Sequence, residues 1–146
     1  MKINFSFFIF ILFFSCNNHE LVEPKLKLAI SNNKIIQRGV IHKIDNQFRF
    51  DYYDVYEKDS HMKYLQDKNY QGGGPSWKGI IYGALKLSEP IILNNIRFDD
   101  ESDGIVIWSK NIEDLIKISR LISTIKTDNK LLLKCISVAN KNWKME

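Results

Sequence analysis

Two stretches of alternating apolar and polar residues predict two β-hairpins. The first pairs residues 35–44 with residues 47–56 across Asp45 and Asn46, which are typical turn residues. The second pairs residues 94–98 with residues 104–108 across the acidic segment DDESDG. Because successive side chains of a strand point to opposite faces, Phe48, Phe50 and Tyr52 share one face, and we expect each hairpin to bury one face.

Apolar residues spaced three and four apart predict four helices. The clearest helix follows a run of three glycines, and its apolar positions are Trp77, Ile80, Ile81, Ala84 and Leu85. The other helices begin near Ser60, at Asn111 and at the pair Thr127-Asp128, because these side chains can cap a first turn. The order β-β-α-α-β-β-α-α predicts an α+β fold, in which an antiparallel sheet of two hairpins has helices packed on one face.

The N-terminus has the pattern of an export signal. Lys2 is followed by an almost unbroken apolar run over residues 3–14, which is too short to span a bilayer as a helix. The run ends in FFSC, which resembles a bacterial lipoprotein signal, so residues 1–15 are expected to be removed and Cys16 to be acylated. The alternative is cleavage elsewhere, which gives a soluble exported protein.

The resemblance to a lipoprotein implies a domain order and a location. Residues 16–33 are expected to form a lipidated tether, with a weakly alternating edge strand at 25–30, and residues 34–146 a single α+β domain. The acylated Cys16 makes the lipid bilayer of the cell envelope a partner. Because Asn17 rather than aspartate follows Cys16, the periplasmic face of the outer membrane is favoured over the inner membrane.

Charge and cysteine content narrow the possible partners. The chain has 21 basic and 17 acidic residues and a net charge of +4, which is too small and too mixed to favour nucleic acid. Of the two cysteines, an acylated Cys16 leaves Cys135 without a disulfide partner. Cys135 lies among apolar residues, which predicts a buried, unreactive thiol.

Two segments resemble sites of known chemistry but lack an essential residue. Pro75 and Ser76 follow Gly74, where a phosphate-binding loop needs Lys and then Ser or Thr, so a helix–loop–helix corner is favoured. The segment from Asp99 begins like a calcium loop, but its twelfth residue is Lys110 rather than glutamate. The sequence also has no HExxH, CxxC or nucleophile-elbow motif, so no metal, cofactor or enzymatic activity is expected.

A tyrosine-rich and acidic region is the candidate for partner binding. Tyrosine is enriched in protein interfaces because it combines a large contact area with a polar tip. The alternative is that the strands simply favour aromatic residues and that half of these rings pack in the core. The candidate partner-binding residues are Tyr52, Tyr53, Tyr56, Asp99, Asp100, Glu101 and Asp103.

The segments GGGPSWKGIIYGAL and IRFDDESDGIVIWSKNIEDLIKISRLI resemble the immunity protein 51 family of bacterial polymorphic-toxin systems. The similarity covers roughly residues 60–126 and includes a glycine bend, a tryptophan that enters a helix, a hairpin with Phe-Asp-x-Glu, and an aromatic residue and serine that end a strand. The residues that carry this structural motif are Gly72, Gly73, Gly74, Pro75, Trp77 and Trp108. The resemblance implies that the glycines make an architectural bend.

The resemblance also implies a function without catalysis, namely binding and blocking a cognate toxin. The expected protein is therefore a lipid-anchored immunity protein whose acidic side chains orient a basic toxin. Two alternatives remain open on the sequence: a small envelope lipoprotein that binds a ligand or supports an outer-membrane assembly, and an exported hydrolase.

Overall fold

A computed structural model describes residues 22–140 of the chain, except for the side chain of Asp100. The predicted signal at residues 1–15 and Cys16 lie outside the described residues. The fold is α+β, with a four-stranded antiparallel sheet in the order β1-β2-β4-β3. Its strands are β1 Val40–Ile44, β2 Gln47–Tyr52, β3 Ile96–Asp100 and β4 Ile105–Ser109.

Both predicted hairpins are confirmed, although the first has shorter strands than predicted, because residues 35–39 and 53–56 lie outside β1 and β2. Asp45 has a φ of 51°, which is the left-handed conformation that a tight hairpin turn requires. The two hairpins join along β2 and β4, where Phe50 is paired with Ile107. Their shared inner face is the core side of the sheet, because Phe50, Tyr52, Ile105 and Ile107 are all buried.

Within residues 22–140, five α-helices accompany the sheet. They are α1 Pro24–Ser31, α2 Met62–Gln66, α3 Gly74–Lys86, α4 Ile112–Lys126 and α5 Asn129–Asn140. The predicted caps of α4 and α5 are confirmed, since Asn111 accepts a hydrogen bond from Glu113 N at 3.1 Å and Asp128 accepts one from Lys130 N at 3.0 Å. The helix predicted to begin near Ser60 and to run to about Asn69 is shorter, since α2 covers only Met62–Gln66. None of the helices within residues 22–140 combines enough length and apolar sequence to cross a bilayer.

The expectation of an edge strand at residues 25–30 is wrong, because this segment forms α1. Leu26, Ala29 and Ile30 are spaced three and four apart and are buried on one side of the helix. Arg120 on α4 donates a hydrogen bond from Nη1 to the Ile30 carbonyl at 2.9 Å. The folded domain therefore includes residues 24–31, which the sequence had placed in the tether.

The outer face of the sheet carries charged side chains and one tryptophan, and we call it the Trp108 face. Exposed fractions of its side chains are 52% for His42, 34% for Arg49 and 62% for Arg97. The helices pack on the opposite, apolar face, as predicted. The charged and aromatic residues of the Trp108 face are His42, Arg49, Asp51, Arg97, Asp99 and Trp108, and the exposed Val40 and Ile44 lie on the same face of β1.

Gly72, Gly73 and Gly74 form a bend before α3, which we call the glycine corner. Its backbone packs directly against the backbone of neighbouring segments. A Cβ on Gly73 would lie 1.9 Å from the Ser102 carbonyl oxygen, and one on Gly74 would lie 2.0 Å from that of Glu101. Gly74 N donates to the Ser102 carbonyl at 3.3 Å. The start of α3 is thus seated directly on the turn between β3 and β4.

We predict that Gly74→Ala destabilises the fold. Alanine normally favours a helix over glycine by up to about 1 kcal/mol, but here the added methyl group meets backbone oxygens that cannot rotate away. The expected loss in unfolding free energy is about 1–3 kcal/mol, measured by chemical denaturation. Lys86→Ala, at the other end of α3, is the control and should change stability by less than about 0.5 kcal/mol. A Gly74→Ala protein as stable as the parent would contradict the contact.

Candidate functional site

Tyr53, Tyr56 and the turn between β3 and β4 form one surface. The Tyr53 hydroxyl donates to Glu101 at 3.0 Å, and its ring lies so close to Gly104 that a Cβ there would be 2.1 Å from it. The Tyr53 and Tyr56 ring centroids are 5.9 Å apart, and Tyr56 is 76% exposed. The structure therefore brings Glu101 together with Tyr53 and Tyr56, although Glu101 is 48 residues from Tyr53 along the chain.

Burial and the hydrogen bond to Glu101 raise the pKa of the Tyr53 hydroxyl. Tyr53 consequently stays protonated and continues to donate to the carboxylate. Asp103 is exposed in the same turn, and Asp99 is exposed on the Trp108 face. Asp100 ends β3, but its side chain is outside the described part of the structure.

The expectation that Tyr52 binds a partner is wrong. Tyr52 is 1% exposed, and its ring packs edge-on against Trp77 with centroids 5.0 Å apart. Its hydroxyl donates to Asp54 at 3.0 Å. The reason is the two-residue period of β2, which places Tyr52 on the core face with Phe50.

A buried ion pair, which sequence reasoning missed, lies beneath these tyrosines. Lys126 Nζ is 2.5 Å from Asp54 Oδ1, and both side chains are completely buried. Asp54 also accepts hydrogen bonds from Ser60 Oγ at 3.0 Å and from His61 N at 2.7 Å. Because its partners satisfy both carboxylate oxygens, the charge is tolerated in the core. The pair fixes the C-terminal end of α4 to the segment after β2.

The ion pair continues to the surface through Asp59. Asp59 lies 3.1 Å from Lys126 Nζ and 2.5 Å from Arg38 Nη2, and Arg38 also binds Glu57 at 2.7 Å. Burial acts to raise the pKa of Asp59, but hydrogen bonds from Arg38 and Lys126 outweigh it and lower that pKa to about 2. No periodic pattern marks this network, because its members come from four separate segments.

Trp108 was predicted as a structural motif residue, and the structure places it on the outer face of the sheet. Its ring lies between two arginines, with Arg49 Cζ 5.7 Å and Arg97 Cζ 5.5 Å from the centroid. Its Nε1 donates to Asp99 at 3.4 Å. Trp108 is partly exposed, whereas Trp77 of the same predicted motif is buried.

The site has few groups suited to chemistry. Among residues 22–140, no cluster of three or more His, Cys, Asp or Glu side chains is arranged to hold a metal ion. His42 lies 3.4 Å from Asp51, but Asp51 also binds Arg49 at 2.7 Å. Cys135 is buried as predicted, and burial raises the pKa of its thiol to about 12, so the nucleophilic thiolate is disfavoured.

The structure is thus a small α+β domain with an exposed aromatic and charged surface. Residues 41–141 match the family model of Immunity protein 51, which covers more than two thirds of the chain. The chain therefore belongs to the immunity protein 51 family, and the match extends the resemblance seen at 60–126 to the first hairpin. Searches of curated proteins and of solved structures gave no match.

We predict that protonation of Asp59 at low pH destabilises the fold. Because its folded pKa of about 2 lies below the ordinary value of 3.8, ionised Asp59 stabilises the fold above about pH 4. This contribution is lost as the pH falls toward 2. Asp59→Asn should be less stable than the parent at pH 7, and the difference should shrink between pH 4 and pH 2 in denaturation measurements.

The matched control for this prediction is Asp67→Asn. Asp67 forms an ion pair with Lys63 on the exposed surface of α2, which contributes little to stability. The Asp67→Asn variant should have the same unfolding free energy as the parent at each pH. A gap between parent and Asp59→Asn that stays constant down to pH 2 would refute the role given to Asp59.

Proposed function

We propose that this protein is a lipid-anchored immunity protein that binds and neutralises a cognate secreted toxin without catalysis of its own. The observation that carries the proposal is the family match over residues 41–141. An immunity protein of this family implies a toxin as its partner. Blocking a toxin requires only a stable and specific complex, and a rigid domain with an exposed aromatic and charged surface suits that task.

The proposed contact region includes Tyr53, Tyr56, Asp99, Glu101 and Asp103. The exposed Tyr56 ring offers apolar area, and Tyr53 is held in place by Glu101. Carboxylates at the edge of an interface accelerate encounter with a basic partner and fix its orientation. The region is therefore suited to the basic surface of a toxin.

The proposed anchor is the acylated Cys16. The apolar run before it has the length of an export signal, and the FFSC sequence resembles a lipoprotein cleavage site. Each buried methylene contributes about 0.8 kcal/mol, so several acyl chains hold a protein on a bilayer essentially permanently. An immunity protein placed there meets a toxin as it enters the envelope.

Co-expression with the secreted toxin encoded beside its gene tests the neutralising role. The full chain should restore growth, and Tyr56→Ala combined with Asp103→Lys should weaken protection. Asp67→Lys is the charge-matched control on an exposed site of α2 and should protect like the parent. A well-expressed parent chain that gives no protection would remove the support for the proposed function.

Mass spectrometry and fractionation test the anchor. The purified protein should begin at Cys16 and carry acyl chains, and Cys16→Ala should abolish acylation. Protection against toxin delivered from neighbouring cells should fall in the Cys16→Ala strain at equal protein levels. An unmodified start at Cys16, or undiminished protection by Cys16→Ala, would contradict the proposed anchor.

A further inference from the structure

The Trp108 face is electrically divided. Strand register places Arg49 and Arg97 on either side of Trp108, and His42 beside Arg49. Val106, two residues before Trp108 on β4, is flanked by Asp51 on β2 and Asp99 on β3. The Cα atoms of the basic and acidic residues are therefore about 7 Å apart along the strands, since a strand rises about 3.4 Å per residue. Their side chains reach across this distance, with Arg49 2.7 Å from Asp51 and Arg97 3.5 Å from Asp99.

A cleft continues the cationic end of this face. It has a volume of about 570 Å³, and Arg97 and Lys110 line it beside the Trp108 ring. The side-chain amides of Gln47, Asn95 and Asn111 also border it. None of the described residues that line the cleft is Asp or Glu, although the chain has 17 acidic residues. The cleft is thus complementary to an anionic group.

The basic side chains next to the cleft differ in how strongly they are paired within the protein. Arg49, which lies across Trp108 from the cleft and is 34% exposed, is fixed by its Nε bond to Asp51 at 2.7 Å. Arg97 is only loosely tied to Asp99, at 3.5 Å. Lys110 is exposed and forms no ion pair within the described residues. A further acid could therefore be bound without breaking a strong internal ion pair.

We propose that the cleft beside Trp108 receives an acidic side chain of the toxin, with Trp108 as the central apolar anchor of the interface. This rests on the proposed function and names the chemistry of the partner at that site. Trp and Arg are the residues most enriched where a few side chains carry most of the binding energy.

The rest of the same face argues for a protein carboxylate rather than a polyanion. Asp51 and Asp99 lie on the same face, where they pair with Arg49 and Arg97, and Glu101 and Asp103 lie in the adjoining turn. They repel the repeated phosphates of a nucleic acid or of an anionic membrane. A protein surface can place an acidic side chain in the cleft and basic side chains against the acidic residues, so that both charged regions are paired.

Two substitutions in the full chain test the assignment with the toxin encoded beside its gene as the probe. Trp108→Ala should weaken toxin binding by about 30-fold or more, as expected for a central interface residue. Lys110→Glu should weaken it by about tenfold and should reduce the association rate. Lys130→Glu, which reverses an exposed lysine on α5, is the matched control and should bind like the parent.

The outcomes separate this inference from the function on which it rests. Parent chain that neither binds the toxin nor protects cells overturns the proposed function. Parent chain that binds, with Trp108→Ala and Lys110→Glu both equal to Lys130→Glu, overturns the cleft while leaving the function intact. A suppressor in the toxin that exchanges an acid for a base and restores binding to Lys110→Glu would identify the inserted side chain. Circular dichroism and thermal unfolding of each variant ensure that only folded proteins are compared.

Discussion

The turn between β3 and β4 touches the start of α3 through main-chain atoms, and this contact depends on Gly73 and Gly74 having no side chains. It seats α3 so that Trp77 packs on Tyr52 in the core. It also holds the turn in place, where Glu101 accepts the hydrogen bond of Tyr53. The glycine corner therefore couples the interior of the protein to the surface that we propose for toxin binding. A phosphate has no space here, because the turn already occupies the start of the helix.

The buried ion pair between Asp54 and Lys126 makes a second connection, which joins the sheet to α4. Replacing one partner would leave a charge without compensation in the core, so the pair demands one relative position of these elements. Tyr52 and Trp77 surround the ammonium group, with both ring centroids 5.9 Å from Nζ. The core aromatic rings and the buried charges are thus in contact with each other. Tyr53 follows Tyr52 in the chain and lies on the surface side. The hydrogen bond from Tyr53 to Glu101 restrains this ring, which lowers the entropic cost of ordering it in a complex.

Periodicity was sufficient to predict the hairpins, α3, α4 and α5, because each has a regular apolar face and, in most cases, a capping residue. It failed at residues 25–30, where a lysine at alternate positions imitates a strand while Leu26, Ala29 and Ile30 satisfy helical spacing. Composition alone could not separate buried Tyr52 from exposed Tyr56, although the alternation of β2 does so for Tyr52. The ion-pair network and the position of Trp108 between two arginines depend on tertiary register, and no local pattern encodes them.

Helix α1 belongs to the layer of helices, on the side of the sheet opposite the Trp108 face. Its start is fixed to the end of α3 by a hydrogen bond from Glu23 N to the Leu87 carbonyl at 2.7 Å. The chain from Cys16 to Glu23 reaches at most about 25 Å even when fully extended. If Cys16 is acylated as we propose, a tether of this length attaches the domain on the side of its helical layer, and Trp108 lies on the side of the sheet away from the attachment point.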